Sequence, residues 1–344
     1  MKLLSICDPS RYQRPPLDVP AFYRCLSLDP QIDFSHIPVA NVFGAAKTLP
    51  LVKVAPSTGD LPYDDFLKLG EKADGPERLS NVDLVFCRTL KPFPPGYLDQ
   101  LSDWESWTSF VNRPSAKKEQ MKPDFLLKIA KDFIPEALIT SDWQAALAFF
   151  EAHQVIVAKQ QNSCGGRGVY KIWYQDQVFH ADNLLRGTQT FSSFSQLITA
   201  LLEGTPEPLQ LYRYLNRVDA GDKRVVVVDG ELYGCYLRRS KSGHWVNNVS
   251  GDGECTLAEI TSDEVEAIQQ TVGKYQQLGL HTLGYDFLQD DDGIWRISEI
   301  NAGNIGGFAR LELLTGEPVM ERLASWLCEF AQRPKTSTPR PNGV

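Results

Sequence analysis

Asp286, Glu299 and Asn301 are spaced about the dipeptide Asp292-Gly293 so that a hairpin would bring all three together. Asp-Gly between two strand-like runs favours a two-residue type I′ turn. Such a turn sets Asp286 opposite Glu299 with Cβ atoms roughly 5 Å apart. Asn301, two residues on, shares the face of Glu299 because strand side chains alternate. Carboxylates facing each other destabilise a sheet unless a counter-charge joins them. A hard divalent cation with oxygen ligands supplies one, and Mg²⁺ bound with nucleotide phosphates is the common case. The hairpin is expected to be a metal site.

A second group of residues suits an anion. Lys159 ends an apolar strand and is followed by Asn162-Ser163-Cys164-Gly165-Gly166-Arg167-Gly168. Glycines let backbone N–H groups approach phosphate oxygens, and a nearby ammonium adds charge to the same anion. The loop lacks Gly-Lys-Ser/Thr and leads into a strand, so it is neither a Walker A motif nor a dinucleotide fingerprint. On its own it reads equally as an ordinary hairpin loop. Asp222 and Arg224 open a strand, where a surface ion pair is the plain reading. Arg238 and Arg239 are adjacent in the returning strand, so at most one reaches a given ligand. Asn247 and Asn248 fall in a Gly-, Ser- and Asn-rich loop, where turn duty is the default.

Composition narrows the class. Against 43 Asp and Glu stand 35 Lys and Arg, a formal charge of −8. That argues against a nucleic-acid-binding or anionic-membrane surface, leaving room for a local basic pocket. Seven scattered cysteines without a Cys-x-x-Cys pair read as reduced thiols of a cytoplasmic protein. The N-terminus turns polar too soon for a signal peptide, and no apolar run reaches the ~20 residues of a membrane span. The five histidines show no metal-ligand spacing.

The elements that must position these residues follow from periodicity. Strands are expected at Lys2 to Ile6, Leu84 to Cys87, Val155 to Lys159, Gly168 to Trp173, Arg224 to Val228 and Glu231 to Arg238. Asp229-Gly230 turns the last two into a hairpin. Helices are expected over Asp124 to Phe133, from a capping box at Ser141-Asp142-Trp143-Gln144 to about Ala152, and over Phe194 to Leu202. Thr261 and Glu264 cap another, ending at Gly279, and a last one runs from about Pro318 to Phe330. A composition break at Asn112-Arg113-Pro114 suggests a domain boundary. Residues 10–80, rich in Pro and Asp, place no element firmly.

Lysine strand, glycine flap, Asp-x-Arg hairpin, then an acid opposite Glu-x-Asn is an order that resembles the ATP-grasp ligases. The likeness is strongest to bacterial glutathione synthetase and looser to the ribosomal-protein glutamate ligases. It runs from about Asp83 to Asn301, most clearly in Asn112-Arg113-Pro114, Pro135 to Thr140, Gly221 to Gly230 and Glu299-Ile300-Asn301. It implies an α/β, specifically α+β ATP-grasp, fold: an N-terminal Rossmann-like pre-ATP-grasp domain (1–112), then a two-lobed ATP-grasp domain. The lobes would be a lid (113–205) and a C-terminal subdomain with the metal site (206–331), before a disordered tail (332–344).

The resemblance also implies roles. Asp286, Glu299 and Asn301 match the magnesium ligands, with Mn²⁺ as an alternative cation. Lys159 matches the lysine on the ATP phosphates, and Gly165 and Gly166 the flap. Arg213, Tyr214 and Leu215, with Tyr212 beside them, match the hinge whose backbone reads adenine, and Asp222 joins the nucleotide set. Arg224 and Arg239 match arginines near the transferred phosphate, with Asn248 alongside. A second nucleotide lysine falls near Lys122, with Lys117 and Lys118 as alternatives. Arg88 matches a substrate arginine of the first domain. The loop Ala302 to Arg310 departs from the family's Ser-Pro-containing acceptor loop, and Arg310 lies near an arginine for the acceptor carboxylate. The tract Asp290 to Trp295 is longer than the family's turn.

The activity implied is an ATP-dependent carboxylate–amine ligase working through an acylphosphate, with ADP and phosphate as products. Its partners would be a small-molecule or peptide carboxylate and an amine, with no nucleic acid and no membrane; assembly as a homo-oligomer stays open. Three readings remain side by side: glutathione synthesis, a ligase for another amino-acid or peptide pair, and a non-catalytic ATP-binding regulatory protein. A dehydrogenase would need a Gly-rich strand–helix turn, which the sequence lacks.

Overall fold

A computed structural model describes residues 1–12, 18–43, 48–50, 52–53, 62–70, 76–161, 166–203, 205, 207–241, 243–247 and 253–333. The tail expected from Gln332 falls outside these residues beyond Arg333. The fold is mixed α/β, with three larger sheets among the described residues.

The first sheet contains β1 (Lys2–Ile6) and β2 (Asp33–Ile37), and α1 (Asp18–Leu28) connects these two parallel strands. β3 (Thr48–Pro50) pairs outside it with β5 (Pro76–Arg78), while the two-residue β4 (Val52–Lys53) edges it beside β2. After α2 (Tyr63–Leu67) come β6 (Leu84–Cys87), α3 (Tyr97–Trp104) and β7 (Ser109–Val111), giving the order β4-β2-β1-β6-β7. Strand order therefore reverses about β1, and the crevice at the carboxyl ends of β1 and β6 is where such sheets take ligands.

α4 (Pro114–Gln120) and α5 (Phe125–Ala130) lead to the second sheet. It holds β8 (Ala137–Thr140), β9 (Ile156–Lys159), β10 (Val169–Gln175), β11 (Val178–Asn183), β12 (Gly187–Phe191) and β13 (Leu209–Arg213), in the order β12-β11-β10-β9-β13-β8. One face is covered by α6 (Trp143–His153) and α7 (Phe194–Leu202), whose Phe150, Leu197 and Leu201 pack on Ile156, Ile172 and Leu211. Asp142, not Ser141, caps α6: its carboxylate accepts the Gln144 N–H at 2.9 Å. β11 and β12 have no clear sequence signal, because neither carries a sustained alternation of apolar and polar residues.

The third sheet, β16-β15-β14-β17-β18, comprises β14 (Asp222–Val228), β15 (Glu231–Arg239), β16 (Glu254–Leu257), β17 (Thr282–Gln289) and β18 (Trp295–Ala302). β14 is buried along its whole length because both faces are covered. Val225 and Val227 meet α8 (Ser262–Leu278), which opens on the Thr261/Glu264 capping box and stops at Gly279 with φ 90°. Val226 and Val228 meet α9 (Phe308–Thr315) and α10 (Val319–Ala331) in a core that also takes Phe22, Phe34 and Phe86 from the first sheet's layer. Asn112, just after β7, fastens the start of β17: its Oδ1 accepts the N–H groups of His281 (2.6 Å) and Thr282 (2.9 Å). Among the described residues no helix is long and apolar enough to cross a membrane.

Candidate active site between the second and third sheets

β17 and β18 set Asp286 directly opposite Glu299, as expected, but by another route. The loop is not a two-residue type I′ turn. Gly293 N–H bonds to Asp290 O at 2.9 Å and Asp290 N–H to Ile294 O at 2.8 Å, with Gly293 at φ 89°. This is the longer hairpin loop ending in a left-handed glycine. Alone it would slip the pairing by one residue. A bulge at Ser298 between Asp286 and Phe287 slips it back, so the site pair is restored.

Asp286 is 2% exposed and carries four hydrogen bonds. Arg224 grips it bidentately through Nε (2.5 Å) and Nη2 (2.9 Å), Arg238 Nη2 adds one at 2.7 Å, and Asn301 Nδ2 another at 3.1 Å. Arg238 Nη2 also reaches Asp222 at 2.7 Å. Burial works against the Asp286 charge, but Arg224 and Arg238 outweigh it and hold the carboxyl below its usual range. Asp222 shifts the other way, up to about 6, because burial and the charge of Asp286 exceed the help from Arg238. Glu299 accepts no hydrogen bond among the described residues.

Which arginine joins was decided by a second bulge. From the Asp229-Gly230 turn, where Asp229 (φ 52°) and Gly230 (φ 86°) are both left-handed, plain pairing would put Arg239 on the face of Asp222. The register shifts between Val226 and Val227, leaving Tyr233 extra, and Asp222 then pairs with Arg238. A one-residue slip exchanges faces. Arg239 therefore does not reach the cluster; its Nε donates to Ala220 O at 3.2 Å. Gly234 inside the strand was the available signal for the bulge.

The second sheet supplies Lys159, whose Nζ donates to Ser298 O at 2.8 Å and lies 4.8 Å over the Tyr212 ring. Burial lowers its pKa against the pull of Glu299, Asp286 and Asp222. Gly166, at φ 76°, sits where an added Cβ would come 3.1 Å from Val246 Cγ1. Gly165 and Asn248 lie outside the described residues. Lys122 does not join the site: exposed, it pairs with Glu119 at 2.6 Å, as Lys118 pairs with Asp99. Lys117 is the buried one, bonded to Gln120 and packed 3.5 Å from the position of a Cβ on Gly303. Burial and Lys91 lower its pKa, and Glu299 opposes them.

Of the residues expected at the hinge, Tyr212 and Arg213 end β13 while Tyr214 and Leu215 follow it, with Tyr214 N–H on Val155 O at 3.1 Å. The Arg213 side chain turns outward to Glu136 (2.6 Å) and Asp290 (2.8 Å). Arg88 is fully buried between Phe22 and Phe86, 4.7 and 5.0 Å from their centroids, and gives Nη2 to Ile305 O at 2.8 Å. Arg310 is half-buried in the first turn of α9. Asp18, which the sequence did not flag, joins Arg224 in holding the glycine loop before it. Asp18 accepts the N–H groups of Gly307 and Ala309, both at 2.6 Å, and Arg224 Nη1 donates to Gly306 O at 3.0 Å. A Cβ on Gly306 would lie 2.9 Å from Asp18 Oδ2, so any larger residue there would push the Asp18 carboxylate away from the loop.

No group of three or more His, Cys, Asp or Glu among the described residues could hold a metal. Two acids and an amide form the candidate centre instead. Carboxylate oxygens and the amide oxygen of Asn301 would be its donors, a set that fits a hard divalent cation and does not separate Mg²⁺ from Mn²⁺. Glu299 has free lone pairs, whereas Asp286 has its lone pairs committed and Asn301 presents Nδ2, so a cation here requires those two to rearrange.

The family model for the prokaryotic glutathione synthetase ATP-grasp domain matches residues 125–316. Glutathione synthetase of Nostoc sp. is 25% identical over 253 residues, 72% of each chain. D-cycloserine synthetase DcsG superposes with a TM-score of 0.64 at 13% identity, covering 96% of this chain and 100% of its own. D-alanyl-alanine synthetase A from Vibrio cholerae gives 0.63 at 15% identity, covering 96% and 98%.

Proposed function

Since the chain belongs to the family of the prokaryotic glutathione synthetase ATP-grasp domain, we propose that it joins a carboxylate to an amine at the expense of ATP through an acylphosphate. The observation that carries this is the convergence of Asp286, Glu299, Arg224, Arg238 and Lys159 where the second sheet meets the third. The substrate carboxylate oxygen attacks the γ-phosphorus and the bond to the ADP oxygen breaks. The amine nitrogen then attacks the acyl carbon, and phosphate leaves. Both reactants of the first step are anions, so neutralising charge is the main catalytic need. Lys159 and Arg224 bring fixed positive charge, and Arg238 keeps Asp222 and Asp286 from repelling each other. Mg²⁺ held by Asp286, Glu299 and Asn301 would offset charge on the phosphates.

Lys117 rather than Lys122 is our second nucleotide lysine, and Arg238 replaces Arg239. We extend the lid to Arg213, because β13 pairs in the second sheet. Arg88 and Arg310 bracket the glycine loop on which the acceptor would rest. The six described cysteines are free thiols, which supports a reducing, cytoplasmic setting. The saturated state of Asp286 is the feature that favours a regulatory ATP-binding protein instead. ADP release with Mg²⁺ and an array of carboxylates and amines, γ-glutamylcysteine plus glycine among them, tests the proposal. Release that needs both substrates supports it, while tight ATP binding without turnover on any pair favours the regulator.

A further inference from the structure

The extended tip of the β17–β18 hairpin has work that its metal-site base does not explain. Asp290, Asp291 and Asp292 are consecutive acids, an arrangement that repels itself unless cations meet it. Arg213, Arg296 and Asn216 meet it. Arg213 Nη2 bonds both oxygens of Asp290, at 3.0 and 2.8 Å. Arg296 reaches Asp290 at 3.2 Å and Asp292 at 3.4 Å. Asp291 takes the backbone N–H of Asn216 at 3.1 Å and its side-chain amide at 3.0 Å. Arg217 packs against the turn as well: a Cβ on Gly293 would lie 3.1 Å from its Nη1.

All but one of these partners lie in a single short segment, Arg213 to Arg217, the connection from β13 toward β14. Its other side is held by the second sheet, through Arg213 N–H on Glu136 O (2.9 Å) and Tyr214 N–H on Val155 O (3.1 Å). The segment is thus pinned between the lid sheet and the hairpin tip, with Tyr214 and Leu215 in the middle. Burial disfavours the Asp290 charge, yet Arg213 holds its pKa below the usual carboxylate range, so the tether is charged at neutral pH.

We propose that Asp290 and Asp291 are positioning residues for the adenine end of the nucleotide: they fix the backbone of Tyr214 and Leu215 through Arg213 and Asn216. One hairpin then serves both ends of ATP, its base through Asp286 and Glu299 and its tip through the hinge. The inference rests on the ligase reading together with the adenine role that the ATP-grasp resemblance gives that hinge. A pre-ordered hinge binds adenine without the entropy loss of ordering a loop at the moment of binding.

The discriminating probes are Mg–ADP, which carries adenine, and Mg–tripolyphosphate, which lacks it. Titration calorimetry on the full chain compares wild type with Asp291→Ala, an exposed position at which folding should survive, and with Asp290→Asn. Asp291→Ala is expected to weaken Mg–ADP about tenfold and to leave Mg–tripolyphosphate within about twofold. Asp290→Asn follows the same pattern wherever its melting curve matches wild type. An unchanged Mg–ADP affinity in Asp291→Ala, or equal losses for both probes, overturns the inference while leaving the ligase reading intact. Wild-type protein that binds neither probe overturns both.

Discussion

Asp286 and Glu299 are direct cross-strand partners of opposite condition: Asp286 accepts four hydrogen bonds from Arg224, Arg238 and Asn301, and Glu299 accepts none among the described residues. The first is built into the fold as the counter-ion of the buried Arg224 and the half-buried Arg238. The second is the one proposed to meet a ligand. Their roles should therefore separate experimentally. Asp286→Asn removes a buried partner and is expected to cost about 3–5 kcal/mol of stability. Glu299→Gln is expected to keep the wild-type melting temperature and lose ADP formation by on the order of a hundredfold or more. Thermal melts beside ADP assays check both, and equal effects of the two substitutions on stability would refute the division.

The two adjacent arginines of β15 give a second contrast. Arg238 bridges Asp222 and Asp286, whereas the side chain of Arg239 bonds Ala220 O and, among the described residues, neither acid. Arg238→Ala should destabilise by about 3 kcal/mol, since two buried acids lose their shared cation. Arg239→Ala should stay within about 0.5 kcal/mol. Chemical denaturation of both variants reads this directly, and a larger loss for Arg239→Ala would place the bulge elsewhere than Tyr233.

Asp222 predicts a pH dependence of defined sign. Its folded-state pKa is raised from 3.8 to about 6 by burial, helped by Asp286 and opposed by Arg238. A raised carboxyl binds its proton more tightly when folded. Its stabilising contribution is therefore complete below about pH 4 and lost as pH rises through about 6. Asp222→Asn cannot ionise and escapes that loss. Relative to wild type, the variant should gain on the order of 3 kcal/mol between pH 4 and pH 8. A difference independent of pH would mean that Asp222 titrates normally.

Much of this architecture is written in local sequence. The capping box at Thr261, the Asp229-Gly230 turn and the apolar strand through Val225 to Val228 each announce themselves within a few residues. The pairing of Asp286 with Glu299 is legible as well, although it is reached through a longer loop and a compensating bulge at Ser298 rather than a two-residue turn. Bulges were the main blind spot. Tyr233 differs in no chemical way from its neighbours, and only Gly234 hinted that Arg238 would take the place expected of Arg239. Contacts distant in sequence were the other gap. Asp18 reaches Gly307 and Ala309 across nearly the whole chain, so no spacing rule could find it. Lys117 looked no different from Lys118 and Lys122 until burial separated them.

The central claim is that a substrate carboxylate becomes an acylphosphate. Once the array identifies a working pair, that carboxylate can be labelled with ¹⁸O and the released phosphate weighed by mass spectrometry. The account predicts one labelled oxygen in the phosphate for each amide formed, with ADP in equal amount. Amide formation with unlabelled phosphate, or with AMP as the product, would contradict it.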